Sequence, residues 1–117
     1  MISTVQSVEE ITDRLTILLL KIVLSSKRDV KEGALNELIM LLKCTRLDPL
    51  PDTVDIIDLL ETNSTLWDIE NEIRQNPCTS LILQVHQKNA RRFEIKRHIG
   101  ECAGGSTERK DYEIKFG

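Results

Sequence analysis

The stretch LWDIENEIRQNPCTSLILQ, residues 66–84, decides the fold. Up to Gln75 it has the spacing of an amphipathic helix, with Leu66, Trp67, Ile69 and Ile73 recurring at helical steps. Asn76-Pro77 then makes a compact stop and restart, because Asn can cap a helix and Pro is tolerated at the first helical position. Apolar residues resume at Leu81, Ile82 and Val85. A turn this short forces the two flanking helices to run antiparallel, so the sequence predicts a long helical hairpin.

The pattern extends in both directions from that turn. The hairpin's first helix can begin after Pro51, capped by Asp52 or Thr53, and runs through Ile56, Leu59, Leu60 and Asn63 to about Gln75. Its second carries Leu81, Ile82, Val85, Ala90, Phe93 and Ile99 and stops at Gly104-Gly105. Upstream, the two prolines of RLDPLPD, residues 46–52, exclude a regular helix and mark a connection inside one domain.

Ser7-Val8-Glu9-Glu10 has the S-x-x-E form of a helix start. The helix it opens carries one apolar stripe, Val8, Ile11, Leu15, Leu18 and Ile22, and a second face of Ile17, Leu20 and Leu24. A helix apolar on two sides must be covered on two sides, by other helices of the chain or by another subunit. The polar SSKRD knot, residues 25–29, ends it, and a shorter helix follows from about Asp29 to Lys43, weakened in its first turns by Gly33. The expectation is an all-α bundle of about four helices in one domain, residues 1–105. Residues 106–117 form a polar tail suited to docking on a partner subunit.

Composition narrows the function classes. Hydrophobic residues make up 40% and aromatics 3%, so the core must be built from Leu, Ile and Val, with Trp67 and Phe93 as large packing residues. A net charge of −3 disfavours phosphate backbones, and no nucleic acid is expected as a partner. Cys44, Cys78 and Cys102 form neither a CxxC pair nor an even disulfide set, which points to a reducing, cytoplasmic compartment. The apolar run Leu15–Leu24 contains Lys21 and falls far short of the ~20 residues of a membrane span, and no basic segment leads into a signal-like run.

Three blocks stand out together: DRLTILLLK at 13–21, LWDIENEIR at 66–74 and NARRFEIKRHI at 89–99. They resemble an uncharacterised all-helical family of bacteria and their phages, a domain of unknown function. Its motifs read D-R-L-[ST]-I-L-x-x-K, L-W-x-I-E-x-x-I-R and N-x-R-R-x-x-x-K. The resemblance spans most of the chain. Because members of that family occur alone or beside glycosyltransferase modules, it implies a supporting part in surface-polysaccharide assembly or in a phage-related process, with no assigned activity. The sequence departs from the pattern in its short connection before the last helix and in the lead-in CTSLILQVHQKNA, so the resemblance defines no binding surface at that end.

The charged residues within these blocks suggest one polar seam between helices: Asp13 and Lys21 from the first, Asn63, Glu70 and Arg74 from the third, and Asn89, Arg92 and Lys96 from the fourth. Glu70 and Arg74 have the i, i+4 order of an intrahelical pair. The seam reads either as a network fixing helix register or as an anion site, since arginine beside lysine suits carboxylate or phosphate.

Asp52, Asp55, Asp58 and Glu61 recur every three residues, a spacing compared with the Mg²⁺-binding helices of nucleotide pyrophosphohydrolases, but steps of three drift around a helix and cannot all face one ion. His98 and Cys102 are spaced as two metal ligands without a third, and His86 stands alone. Arg14, Lys21, Arg92 and Lys96 invite comparison with the dicarboxylate site of helical chorismate mutases, against which stands the break after Leu24.

No catalytic residue, cofactor or metal set is assigned. The expected function is a non-catalytic interaction or assembly module, acting as a homo-oligomer, a dimer first, or with an unidentified protein partner. The competing reading is a small-anion binder or an all-α enzyme of the two kinds just named.

Overall fold

A computed structural model describes residues 7–45, 47 and 50–104. The polar tail expected at 106–117 lies outside them. Four helices follow one another: α1, Val8–Leu24; α2, Arg28–Cys44; α3, Thr53–Gln75; and α4, Thr79–Gly104. The described residues contain no strand, and the architecture is the all-α bundle.

Each boundary has a local cause. Ser7 is the N-cap of α1, its hydroxyl accepting from the Glu10 amide at 3.3 Å, with Glu9 and Glu10 at the positive end of the helix. At the other end Ser25 turns extended, and Lys31 of α2 donates its ammonium to the Ile22 carbonyl at 2.8 Å, satisfying a carbonyl the helix leaves unpaired. The stop at residues 76–78 differs in detail from the expected restart at Pro77. Asn76 closes α3, donating its amide to Glu72 at 2.7 Å, while Cys78 precedes α4 and accepts the Ile82 amide on its carbonyl at 3.1 Å. The Cys78 thiol is held below its ordinary value because the Leu81 and Ser80 amides hydrogen-bond to its sulfur.

The bundle consists of two antiparallel hairpins. Asp55 meets His98 and Asp58 meets Arg91, so α4 descends as α3 ascends. Arg14 pairs with Glu37, and Lys31 meets the end of α1, which sets α2 antiparallel to α1. α1 packs on α2, α3 and α4, whereas α2 has extensive contact with α1 alone. The second apolar face of α1 is covered only in part within the chain: Ile17 and Leu20 are half-buried, whereas Leu24 is exposed.

Leu59 of α3 and Ile95 and Ile99 of α4 form the centre of the core, with Val8 packed against them. Ile11, Leu18, Ala34, Leu66 and Ile69 are also buried, and Trp67 is half-buried. The inward stripe of α4 is Leu81, Val85, Arg92, Ile95, Lys96 and Ile99. Phe93 sits about 110° around the helix from that stripe and is 67% exposed, which corrects its expected packing role. Ala90 is exposed for the same reason.

Candidate functional site

The polar residues buried in α1 form the centre of the expected seam. Thr12 and Thr16 return their hydroxyls to the backbone of their own helix, donating to the Val8 and Asp13 carbonyls at 2.7 Å each. Asp13 has no such local partner and lies buried where α1 crosses the α3–α4 hairpin. An ionised carboxylate in that position is tolerated only if its oxygens are filled.

They are filled from both helices of the hairpin. Asn63 of α3, itself buried, donates its amide to Asp13 Oδ1 and to Thr16 Oγ1, each at 2.9 Å. Arg92 of α4 makes a two-point fork on the same carboxylate: Nε donates to Oδ1 at 3.0 Å, and Nη2 donates to Oδ2. Lys96, one turn on, brings its ammonium to 3.4 Å from Oδ2. The carboxylate thus accepts three hydrogen bonds, two on Oδ1 and one on Oδ2, and Oδ2 has the Lys96 charge beside it.

The titration behaviour follows from this geometry. Burial alone would raise the Asp13 carboxyl, but hydrogen bonds from Arg92 and Asn63 and the charges of Arg92 and Lys96 outweigh it and hold the group below its ordinary value. Arg92 shifts upward in turn, chiefly through its hydrogen bond to Asp13, against a partial cost of burial and with smaller help from the charges of Asp13 and Glu70. The two shifts agree in sense: each partner stabilises the charged form of the other. The contacts set one acid, Asp13, against two bases, Arg92 and Lys96, with the charge of Glu70 acting on Arg92 from outside the network.

Of the expected seam, Asp13, Asn63, Arg92 and Lys96 come together. Glu70 is exposed and acts on Arg92 only through its field. Arg74 and Asn89 are exposed and Lys21 half-buried, and none of them joins the network. The i, i+4 pair of Glu70 and Arg74 does not form among the described ion pairs. Thr16 is the member that sequence reasoning missed. Its signal was its place about one turn after Asp13 on the same helix, within the apolar run from Leu15 to Leu20.

The other constellations resolve just as specifically. Asp55 and Asp58 point to different partners, His98 at 2.8 Å and Arg91 at 3.4 Å, as expected for acids that drift around a helix. Among the described residues no three His, Cys, Asp or Glu side chains are placed to hold a metal ion. Of the four cations considered for a dicarboxylate, Arg14 is paired with Glu37, and Arg92 and Lys96 with Asp13. An open groove of about 440 Å³ beside α3 and α4 sets Asp58 and Glu61 against Lys88 and Arg91, again without net charge. No helix among the described residues is long and apolar enough to cross a membrane.

A scan against protein-family models finds no match, and neither the curated proteins nor the solved structures contain a significant one.

Proposed function

We propose that the chain is a non-catalytic helical assembly module that works as a homo-oligomer, a dimer in the first instance, with the Asp13 centre fixing the register of α1 against the α3–α4 hairpin. The observation that carries this reading is the outer face of α2. That helix buries Ala34 and half-buries Leu38 and Leu41 toward α1, its one extensive neighbour. About 110° further round, Leu35, Ile39 and Leu42 form a second stripe at i, i+4 and i+7, and all three are exposed. Aliphatic, uncharged and helically spaced, this stripe is the kind of surface that matches a second copy of itself across a two-fold axis.

The buried ionic centre supports the register role. A saturated network tolerates one alignment of three helices, and sliding α1 by a turn would strand a carboxylate in the core. Three exposed free cysteines support a reducing, cytoplasmic setting. A part in surface-polysaccharide assembly or a phage-related process, as the motif resemblance implies, fits a module that contributes contacts and leaves chemistry to a protein partner.

The test is the mass in solution across the micromolar range, by size exclusion with light scattering. The native chain is expected at the mass of a dimer, and Leu35→Lys combined with Leu42→Lys at that of a monomer with its helical circular dichroism retained. A native monomer throughout the range refutes the proposal. Orthophosphate, nucleotides and small dicarboxylates should leave the melting temperature unmoved, and a saturable shift with any of them would restore the anion-binding reading.

A further inference from the structure

The spacing of His98 and Cys102 raised the question of a metal, and the structure places a different chemistry there. Cys102 Sγ lies 3.7 Å from His98 Nε2, and the other ring nitrogen, Nδ1, lies 2.8 Å from Asp55 Oδ2. A carboxylate only accepts, so Nδ1 carries the hydrogen, and in the neutral ring Nε2 is then the acceptor facing the thiol. Asp55 is largely buried at the start of α3, its side chain 12% exposed, whereas the His98 side chain is 55% exposed and Cys102 is open to solvent. Nucleophile, base and orienting acid therefore stand in sequence, with the sulfur on the accessible side.

We propose that Cys102 is a thiol-modification site for low-molecular-weight disulfides, with His98 as its base and Asp55 as the residue that positions His98. In the exchange the Cys102 sulfur attacks one sulfur of the disulfide, forming a new S–S bond as the old one breaks. The thiol proton passes to His98 Nε2 and from there to the departing thiolate. The protein gains a mixed disulfide and one equivalent of the small thiol is released, so no further oxidant is required.

The surroundings act on the imidazolium that forms on the way. Asp55 faces it from α3. On α4 itself stand Glu94, which also meets Arg91 at 3.8 Å, and Glu101, engaged by Arg97 at 2.7 Å. From α1 the Glu9 carboxylate lies where a Cβ at Gly100 would come within 2.7 Å of it. Glu94 and Glu101 are thus each engaged by an arginine of their own helix, which leaves Asp55 as the acid in contact with the ring.

The structure supplies an internal control. Cys44 is likewise an exposed thiol, at the last residue of α2, and among the described residues the one histidine contact to a cysteine sulfur is that of His98 to Cys102. Two full-length single-cysteine chains separate the sites: Cys44→Ser with Cys78→Ser keeps Cys102, and Cys78→Ser with Cys102→Ser keeps Cys44. Each is reacted with hydroxyethyl disulfide, a neutral probe, and the mixed disulfide is followed by mass spectrometry from pH 5 to pH 9, a range spanning ordinary imidazole and thiol titration.

An unassisted thiol loses about tenfold in rate per pH unit below its ordinary value near 8.5. Cys102 should lose rate less steeply than Cys44 as pH falls and exceed it at least about tenfold in mildly acidic solution. His98→Gln should return Cys102 to the Cys44 profile, and Asp55→Asn should move the inflection in pH, which a purely structural role would leave in place. Superimposable profiles for Cys102 and Cys44 in the two folded chains overturn the proposal, whether or not the His98 variant folds.

Discussion

Replacing Asp13 with Asn removes one charge and almost no volume, and isolates what the ionic centre contributes. Removing one partner of a buried ion pair costs ~3 to 5 kcal/mol when the other is left dry. Here the abandoned partners keep some access to water, Arg92 being 30% and Lys96 26% exposed, and Asn retains one oxygen to accept from the Arg92 fork. Those two reliefs place the expected loss at about 2 to 3 kcal/mol, because the new amide also turns a donor toward Asn63, Arg92 or Lys96. For a chain of this length that lowers the melting temperature by roughly 10 °C.

Chemical denaturation at a series of pH values is the assay. The Asp13 carboxyl is depressed in the folded chain, so its contribution is complete above the ordinary value of 3.8 and is lost as pH falls through the lower, folded value. The native chain and Asp13→Asn should therefore differ by a constant amount at neutral pH and converge in acid. A difference under about 0.5 kcal/mol at neutral pH refutes the reasoning. So does one that persists undiminished to the lowest pH at which the native chain stays folded.

Four further substitutions test the same structure. Asn63→Ala should cost about 1 to 2 kcal/mol through the loss of both amide bonds, whereas Asn63→Asp should cost more at neutral pH and recover on acidification, because it sets a second carboxylate against Asp13. Thermal unfolding at two pH values separates them. Gly33→Ala should stabilise the chain by up to about 1 kcal/mol, since Gly33 is helical with nothing within 4 Å of an added Cβ. Gly100→Ala should gain less, because the Glu9 carboxylate must first swing aside.

The helices were legible wherever a local signal was complete. Ser7 with Glu10, the serine knot after Leu24 and the turn at Asn76-Pro77 set boundaries that the structure reproduces within a few residues. Which α4 residues turn inward was legible only in part. Arg92 and Lys96, read as seam residues, do lie on the inward stripe, whereas Phe93, which a preference for apolar residues inside places in the core, does not. The charges belong there because Asp13 is waiting on α1, a pairing 79 residues apart that spacing along one helix cannot reveal. Glu70 and Arg74 misled in the opposite sense, because i, i+4 geometry permits an exposed pair without requiring it.

The attachment of α2 sets a hierarchy of opening. α1, α3 and α4 are locked together through Asp13 and the Leu59 cluster, whereas α2 has extensive contact with α1 alone and is tethered by residues 25–27 on one side and 45–52 on the other. Swinging it outward breaks one helix–helix seam and leaves the ionic centre whole. The amides of α2 are therefore the ones that open first, at a free energy below that of melting the rest.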